Sequence, residues 1–268
     1  MRKKTLRTSE LVKQMLGMGL TLQQSFELVS HFCSIDKSEV LLDKEVDGQI
    51  CLSAAKEAAK GKPLQYILGE WDFCGRKIIC KEGVLIPRED TETLVEVAKK
   101  HLRDGDRVLD LCCGSGCISV ALAQAGAKVC AVDINNKAIE LTKENADLWG
   151  VEVDVRKMDV LSEKTDGMFD MIVSNPPYIR TSEIRKLDTS VKKYEPRNAL
   201  DGGDDGLLFY REITKAFYDN LADGGLLIFE IGFDQRGQVT SLLEEAVFKN
   251  ITAVKDLGGN DRVVYGEK

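Results

Sequence analysis

Long apolar runs are missing from this chain of 268 residues. Those present, such as Leu226-Leu227-Ile228-Phe229, are short and charge-flanked, so no segment is expected to span a bilayer. The start, MRKKTLRTSE, is basic with no apolar stretch behind it; it is not expected to act as a signal peptide, and a cytoplasmic location follows as the expectation. Histidine is scarce: His31 and His101 are the two present, and neither has a partner at ligand spacing. The eight cysteines (Cys33, Cys51, Cys74, Cys80, Cys112, Cys113, Cys117 and Cys130) include no CxxC pair. Free, mostly buried thiols are therefore expected, with no metal. Aromatic residues make up 6%, little for an enzyme that flips bases onto stacking platforms. Positive charge is also in deficit. The net charge is −7, with residues 1–70 at +1 and residues 71–268 at −8. A duplex-binding enzyme presents a basic face, so direct nucleic-acid binding is not expected.

What is there is an ordinary globular balance, 43% hydrophobic and 30% charged, in a chain long enough to bury a core without disulfides. Residues 1–62 predict a small all-helical domain. Leu11, Val12, Met15 and Leu16 keep a helical period, and Thr21 with Gln24 makes a capping box. Asp36 caps a short turn, and ICLSAAKEAAK runs as a helix to Gly61. Residues 63–88 predict a hairpin linker, with QYIL, the segment around Trp71 and Phe73, and KII as short strands. Residues 89–268 then alternate. TETLVEVAKKHL is a helix, RVLDL a strand, CISVALAQA a helix, KVCAVDI a strand, and NKAIELTKENADLW a helix capped by Asn135. VEVDV, FDMIVS and GGLLIFEIG are further strands, SLLEEAV is helical, and ITAVKDL and RVVYGE close the chain as an antiparallel pair. Such alternation predicts a doubly wound α/β sheet. Segment 179–206, charged and aperiodic, reads as a loop over the active site.

The first strand-to-helix turn, Asp110-Leu111-Cys112-Cys113-Gly114-Ser115-Gly116, lets backbone pass close to a ligand and offers unpaired helix-terminal amides. The second strand ends in Asp133, placed to accept hydrogen bonds from ribose hydroxyls. Together they favour a nucleoside-containing cofactor without choosing one; taken alone, the Gly-x-Gly is a weak signal that a plain tight turn also satisfies. Ser119 stands where a dinucleotide fingerprint has its third glycine, which tilts against a pyrophosphate ligand and a dehydrogenase. Asn175-Pro176-Pro177-Tyr178 follows the strand FDMIVS, beyond the carboxyl end where open α/β sheets bind ligands. Two prolines hold that backbone rigid, and Tyr178 supplies a flat face. Such a tetrapeptide can accept hydrogen bonds from an NH2 group and aim its nitrogen at an electrophile.

This combination resembles S-adenosylmethionine-dependent methyltransferases acting on planar amino nitrogens of adenine, guanine or glutamine. GKPLQYILGEWDFCGRKI, VLIPREDTETLV, SNPPYI, YEPRNALDGGDDGL and KDLGGNDRVV are together similar to the HemK/PrmC family of protein-(glutamine-N5) methyltransferases. All five prolines, Pro63, Pro87, Pro176, Pro177 and Pro196, fall inside these segments. The resemblance implies a Rossmann-like class I methyltransferase sheet, mostly parallel with the last strand antiparallel. It also implies methylation of the glutamine of the Gly-Gly-Gln motif in peptide chain release factors, tuning translation termination. S-adenosyl-L-methionine would be the cofactor and S-adenosyl-L-homocysteine the product. The release factor would be the protein partner, docked by the N-terminal helices.

By the same resemblance, Asn175 and the Pro176 carbonyl accept the substrate amide hydrogens, Tyr178 packs against the amide plane, Pro177 belongs to the same substrate-binding tetrapeptide, and Asp133 holds the ribose. Asp159 holds the adenine amino group beside Val160, the turn Cys112–Gly116 lies along the methionine portion, and Arg88 closes the cofactor pocket. The chain departs from the family pattern at Cys112 and Cys113, where a glycine and a small polar residue are usual, and in the small side chain of Val160. Three other readings stand beside this one: a ribosomal-protein glutamine methyltransferase, an adenine-specific nucleic-acid methyltransferase, and a non-catalytic cofactor-binding scaffold. The last has no use for Asn-Pro-Pro-Tyr.

Overall fold

The computed structural model describes residues 5–268; the basic start Met1–Lys4 lies outside them. These residues divide into two compact units, 5–70 with 189–194 and 71–188 with 195–268.

The first unit packs amphipathic helices around Leu11, Met15, Leu28, Val29, Cys51 and Ala55, none of which retains any exposure. Its elements are β1 (Thr5–Arg7), α1 (Thr8–Gly17), α2 (Leu22–Cys33), α3 (Lys37–Val40), β2 (Glu45–Asp47), α4 (Gln49–Ala59) and α5 (Leu64–Leu68). The Thr21–Gln24 capping box forms as expected, its two bonds measuring 2.8 and 3.1 Å. Two features differ from the sequence expectation. β1 and β2 pair as an antiparallel ribbon that lays Leu6 and Val46 on the helical core. Three-residue strands have no period long enough to read. QYIL is helical rather than extended: Pro63 supplies the N-cap, Gly69 ends the turn at φ +77°, and Leu64, Ile67 and Leu68 face the core.

A hairpin follows, β3 (Glu70–Phe73) and β4 (Arg76–Ile79), and all of it but Glu70 belongs to the second unit. Its turn, Cys74-Gly75, has positive φ at both residues, the twist-matched geometry for a two-residue connection. The alternating part follows as α6 (Thr91–His101), β5 (Arg107–Leu111), α7 (Cys117–Gln124), β6 (Lys128–Asp133), α8 (Asn136–Trp149), β7 (Val153–Lys157) and β8 (Phe169–Ser174). After α9 (Thr189–Tyr194), which belongs to the helical unit, come α10 (Leu208–Ala216), β9 (Leu221–Glu230), α11 (Arg236–Glu245), β10 (Lys249–Lys255) and β11 (Asp261–Glu267).

The seven strands of the main sheet lie in the order β10-β11-β9-β8-β5-β6-β7. β11 runs antiparallel to both its neighbours and the other pairs are parallel, as the sequence predicts. α10 had no sequence reading, yet Tyr210, Ile213 and the adjoining Phe217 are all but inaccessible in the core, with Tyr210 edge-on to Phe229 at 5.2 Å. Segment 179–206 is not wholly irregular, because it holds α9 and the turns Ile184–Lys186 and Arg197–Ala199.

Asn145, fully buried in α8, joins the hairpin to the sheet unit. Its Oδ1 accepts from the Ile79 amide at 2.7 Å, while its Nδ2 donates to the carbonyls of Ile79 at 3.3 Å and Ser115 at 2.9 Å. Leucine there would leave three backbone groups without their side-chain partner. Asn145→Leu is expected to lower the unfolding free energy by about 2–4 kcal/mol in urea titration; a loss below about 0.5 kcal/mol would contradict the clamp.

Candidate functional site

β5 is where the sheet reverses its winding: β6 lies on one side and β8 on the other. In such sheets the crevice for ligands opens at this point, beyond the carboxyl ends of the strands. The β5–β8 register pairs Leu111 with Ser174, and the Ser174 hydroxyl donates to the Leu111 carbonyl at 2.7 Å. The next residues, Cys112 and Asn175, leave the sheet side by side and both line a cavity of about 270 Å3. Gly114, Asp133, Asp159, Val160 and Pro177 line it too.

The remaining sequence candidates stand behind that wall. The buried Cys113 donates its amide to the Val132 carbonyl at 3.0 Å, and the Ser115 carbonyl accepts from Asn145. Gly116 caps α7 at φ +76°, where a Cβ would lie 2.6 Å from Thr142 Cγ2; the packing of α7 on α8 therefore requires glycine. Cys112 sits at φ +63°, the left-handed region that glycine occupies without strain, so its departure from the family pattern is a backbone matter as well as a side-chain one.

Pro176 is buried, and Tyr178 packs on the sheet core rather than lining the cavity. Burial pushes the Tyr178 hydroxyl pKa well above its ordinary value. Arg88 is outside the cavity wall as well. It pairs at 2.5 Å with the buried Glu195 and so anchors the segment whose next residues, Pro196, Asn198 and Ala199, do line the cavity.

Asp133 receives the Gly114 amide at 2.9 Å and the Asn135 amide at 2.8 Å, which fixes its carboxylate at the cavity edge; burial raises its pKa. Asp159 accepts from the Leu161 amide at 3.0 Å and the Ser162 hydroxyl at 2.8 Å. Most of the remaining lining is apolar, including Leu85, Met158 and Phe209, a wall suited to a nucleoside base. A mostly apolar cavity with two acids, Asp133 and Asp159, and glycine backbone in its wall fits S-adenosylmethionine. Among the described residues, no group of three or more His, Cys, Asp or Glu is arranged to hold a metal ion.

Sequence reasoning missed several residues that shape the site. Gln235, nearly inaccessible, donates to the carbonyls of Tyr178 at 3.0 Å and Gly206 at 3.1 Å, and accepts from the Gly232 amide at 3.0 Å. Gly202 lies so close to Pro177 and Tyr178 that a Cβ there would sit 2.7 Å from each. Thr91 and Glu230 are buried behind Asn175, whose Nδ2 donates to Thr91 Oγ1 at 3.3 Å. The segments IPREDTE, DGGDDG and FEIGFDQ held these residues in view, but nothing in their spacing shows that they converge.

Fold and site together define a class I methyltransferase. A profile of the Methyltransferase small domain family matches residues 88–192. A solved methyltransferase from Pyrococcus furiosus shares the fold, with TM-score 0.56 and 18% identity over 73% of this chain and 90% of its own. The release factor glutamine methyltransferase of Thermodesulfovibrio yellowstonii is 36% identical over 261 residues, 93% of this chain and 94% of that protein. The protein of the same name from Fusobacterium nucleatum subsp. nucleatum is 46% identical over 217 residues, 79% of this chain and 61% of its own length. The chain belongs to the release factor glutamine methyltransferase family.

One buried acid near the cavity gives a pH signature. Asp110 accepts a hydrogen bond from Ser119, its Oδ1 has no partner among the described residues, and desolvation raises its pKa from 3.8 to about 7. Between those values the folded protein holds a proton that the unfolded chain releases, so this group's stabilisation is lost as pH rises through about 7. The melting temperature of Asp110→Asn is expected to fall less between pH 5 and pH 8 than that of the parent protein in scanning calorimetry. Equal slopes would refute the assignment.

Proposed function

We propose that this chain transfers the methyl group of S-adenosylmethionine to the side-chain amide nitrogen of the glutamine in the Gly-Gly-Gln motif of peptide chain release factors. The observation that carries the reading is Asn175. It lines the cavity while its own amide nitrogen is turned inward to Thr91, which leaves Oδ1 to act as an acceptor. S-adenosylmethionine, when bound, supplies an electrophilic methyl group on a sulfonium. Asp133 is assigned to the ribose hydroxyls, Asp159 and Val160 to the adenine, and the Cys112–Gly116 turn to the methionine portion, with Cys113, Ser115 and Gly116 acting through backbone shape.

A glutamine amide nitrogen is a poor nucleophile because its lone pair is delocalised into the carbonyl. Asn175 Oδ1 and the Pro176 carbonyl accept its two hydrogens and turn the lone pair toward the methyl group, with Pro177 and Tyr178 fixing that backbone. The acceleration then comes from orientation and preorganised acceptors rather than from a strong base. The helical unit is assigned to docking the release factor; Leu41, Leu42 and Ile50 are exposed apolar residues on it. A cytoplasmic location is inferred from the assigned release-factor substrate.

The test is incubation with methyl-labelled S-adenosylmethionine and a full-length release factor, beside a matched factor whose motif glutamine is changed to alanine. Label on the first factor alone is expected, and Asn175→Ala should remove at least about 99% of it, a loss of some 3 kcal/mol in transition-state stabilisation. Absence of label on both, with cofactor binding intact, would overturn the substrate and favour a ribosomal protein or a nucleic acid. Asp133→Ala is expected to weaken S-adenosylmethionine binding at least about tenfold, roughly 1.4 kcal/mol, in titration calorimetry. Unchanged affinity would remove the ribose assignment.

A further inference from the structure

Glu230 is the last residue of β9 and retains 1% exposure. Its neighbour Phe229 pairs with Ser174 in the parallel β8–β9 register, so Glu230 and Asn175 sit side by side one step beyond that pair. Thr91, the first residue of α6 and 2% exposed, completes the group. Asn175 Nδ2 donates to Thr91 Oγ1 at 3.3 Å, and the Glu230 carboxyl lies close enough for the Thr91 hydroxyl and the Asn175 amide to favour its charged form. Glu230 Oε2 has no hydrogen-bond partner among the described residues, so acceptor capacity remains free behind the amide. Arg262 supplies attraction from β11 and is itself held by Asp90 at 3.0 Å and Asp256 at 3.1 Å.

Desolvation raises the Glu230 pKa to about 7, and above that pH its ionised carboxyl only accepts, whereas an asparagine side chain carries two donors on one arm and an acceptor on the other. With Glu230 and the Thr91 oxygen behind it, the amide is favourable only with nitrogen inward. A flipped amide would set Oδ1 against the carboxylate, which donates nothing, and the two oxygens would compete for the single Thr91 hydroxyl proton. We propose that Thr91 and Glu230 are positioning residues for methyl transfer, holding the Asn175 amide so that Oδ1 faces the acceptor nitrogen. The inference rests on the reading of Asn175 as a substrate acceptor.

The test uses the full chain, a full-length release factor and labelled S-adenosylmethionine, with kcat, KM and cofactor affinity measured separately. Thr91→Val keeps the shape and removes the hydroxyl; kcat should drop at least about tenfold while cofactor affinity and KM stay within about threefold. Thr91→Ser should restore kcat to within about threefold of the parent. In an Asn175→Ala background, Thr91→Val should cost nothing further, since residues acting as one unit are not additive. Glu230→Met removes the inward acceptor, so kcat should fall at least about tenfold while cofactor affinity stays within about threefold. That combination is not produced by a merely structural role, and it decides the matter if Thr91→Val fails to fold. Parent-like kcat in Glu230→Met, or additive losses in the double variant, would overturn the positioning role. Full activity in Asn175→Ala would instead overturn the reading of Asn175 itself.

Discussion

The pairing of Leu111 with Ser174 is the constraint on which the site depends. It is one rung of a parallel ladder, reinforced by the Ser174 hydroxyl on the Leu111 carbonyl. Because β5 and β8 are adjacent at the reversal of strand order, whatever follows these two residues must share one crevice. A slip of one residue would turn one strand's side chains to the other face and separate the glycine turn from Asn175. The near-complete burial of Leu109, Leu111, Ile172 and Val173 specifies the register strongly.

Around that rung the protein spends polar groups in its interior for geometry. Asn145, Gln235, Thr91, Glu230 and Glu195 are all buried, and each holds backbone or a side chain at the cavity or one layer behind it. A fully apolar filling could be as stable, but it would not fix the direction of an amide or the path of a loop. The raised pKa of Asp110 and of Glu230, each about 7, records the desolvation of carboxyls kept in the interior. The proposed methyl transfer asks for this kind of rigidity, since it relies on the orientation of one lone pair rather than on a strong base.

Much of this was legible in the residues. The period change near Arg107, the glycine turn, the acid ending the second strand and Asn-Pro-Pro-Tyr after an apolar strand all carry local physical meaning, and the sheet follows the predicted order. The misses have local causes too. QYIL is apolar and short, a length at which helix and strand periods coincide, and Pro63 with Gly69 decides for a helix. The ribbon of β1 and β2 joins segments far apart in sequence, and α10 follows a loop whose glycines mask its start.

The sequence by itself determined the fold class and the tetrapeptide, because both rest on residue types at fixed short spacings, and it carried the segments on which the family resemblance rests. Only the tertiary structure decided which candidates reach the cavity. Cys112, Gly114, Asp133, Asp159, Val160, Asn175 and Pro177 do; Cys113, Ser115, Gly116, Pro176 and Tyr178 support them from behind. It also moved Arg88 from the pocket to an ion pair and brought Thr91, Asn175 and Glu230 together from three separate elements. Contacts between residues so distant along the chain leave no periodic trace, because strand order and register, rather than neighbouring residues, set their distances.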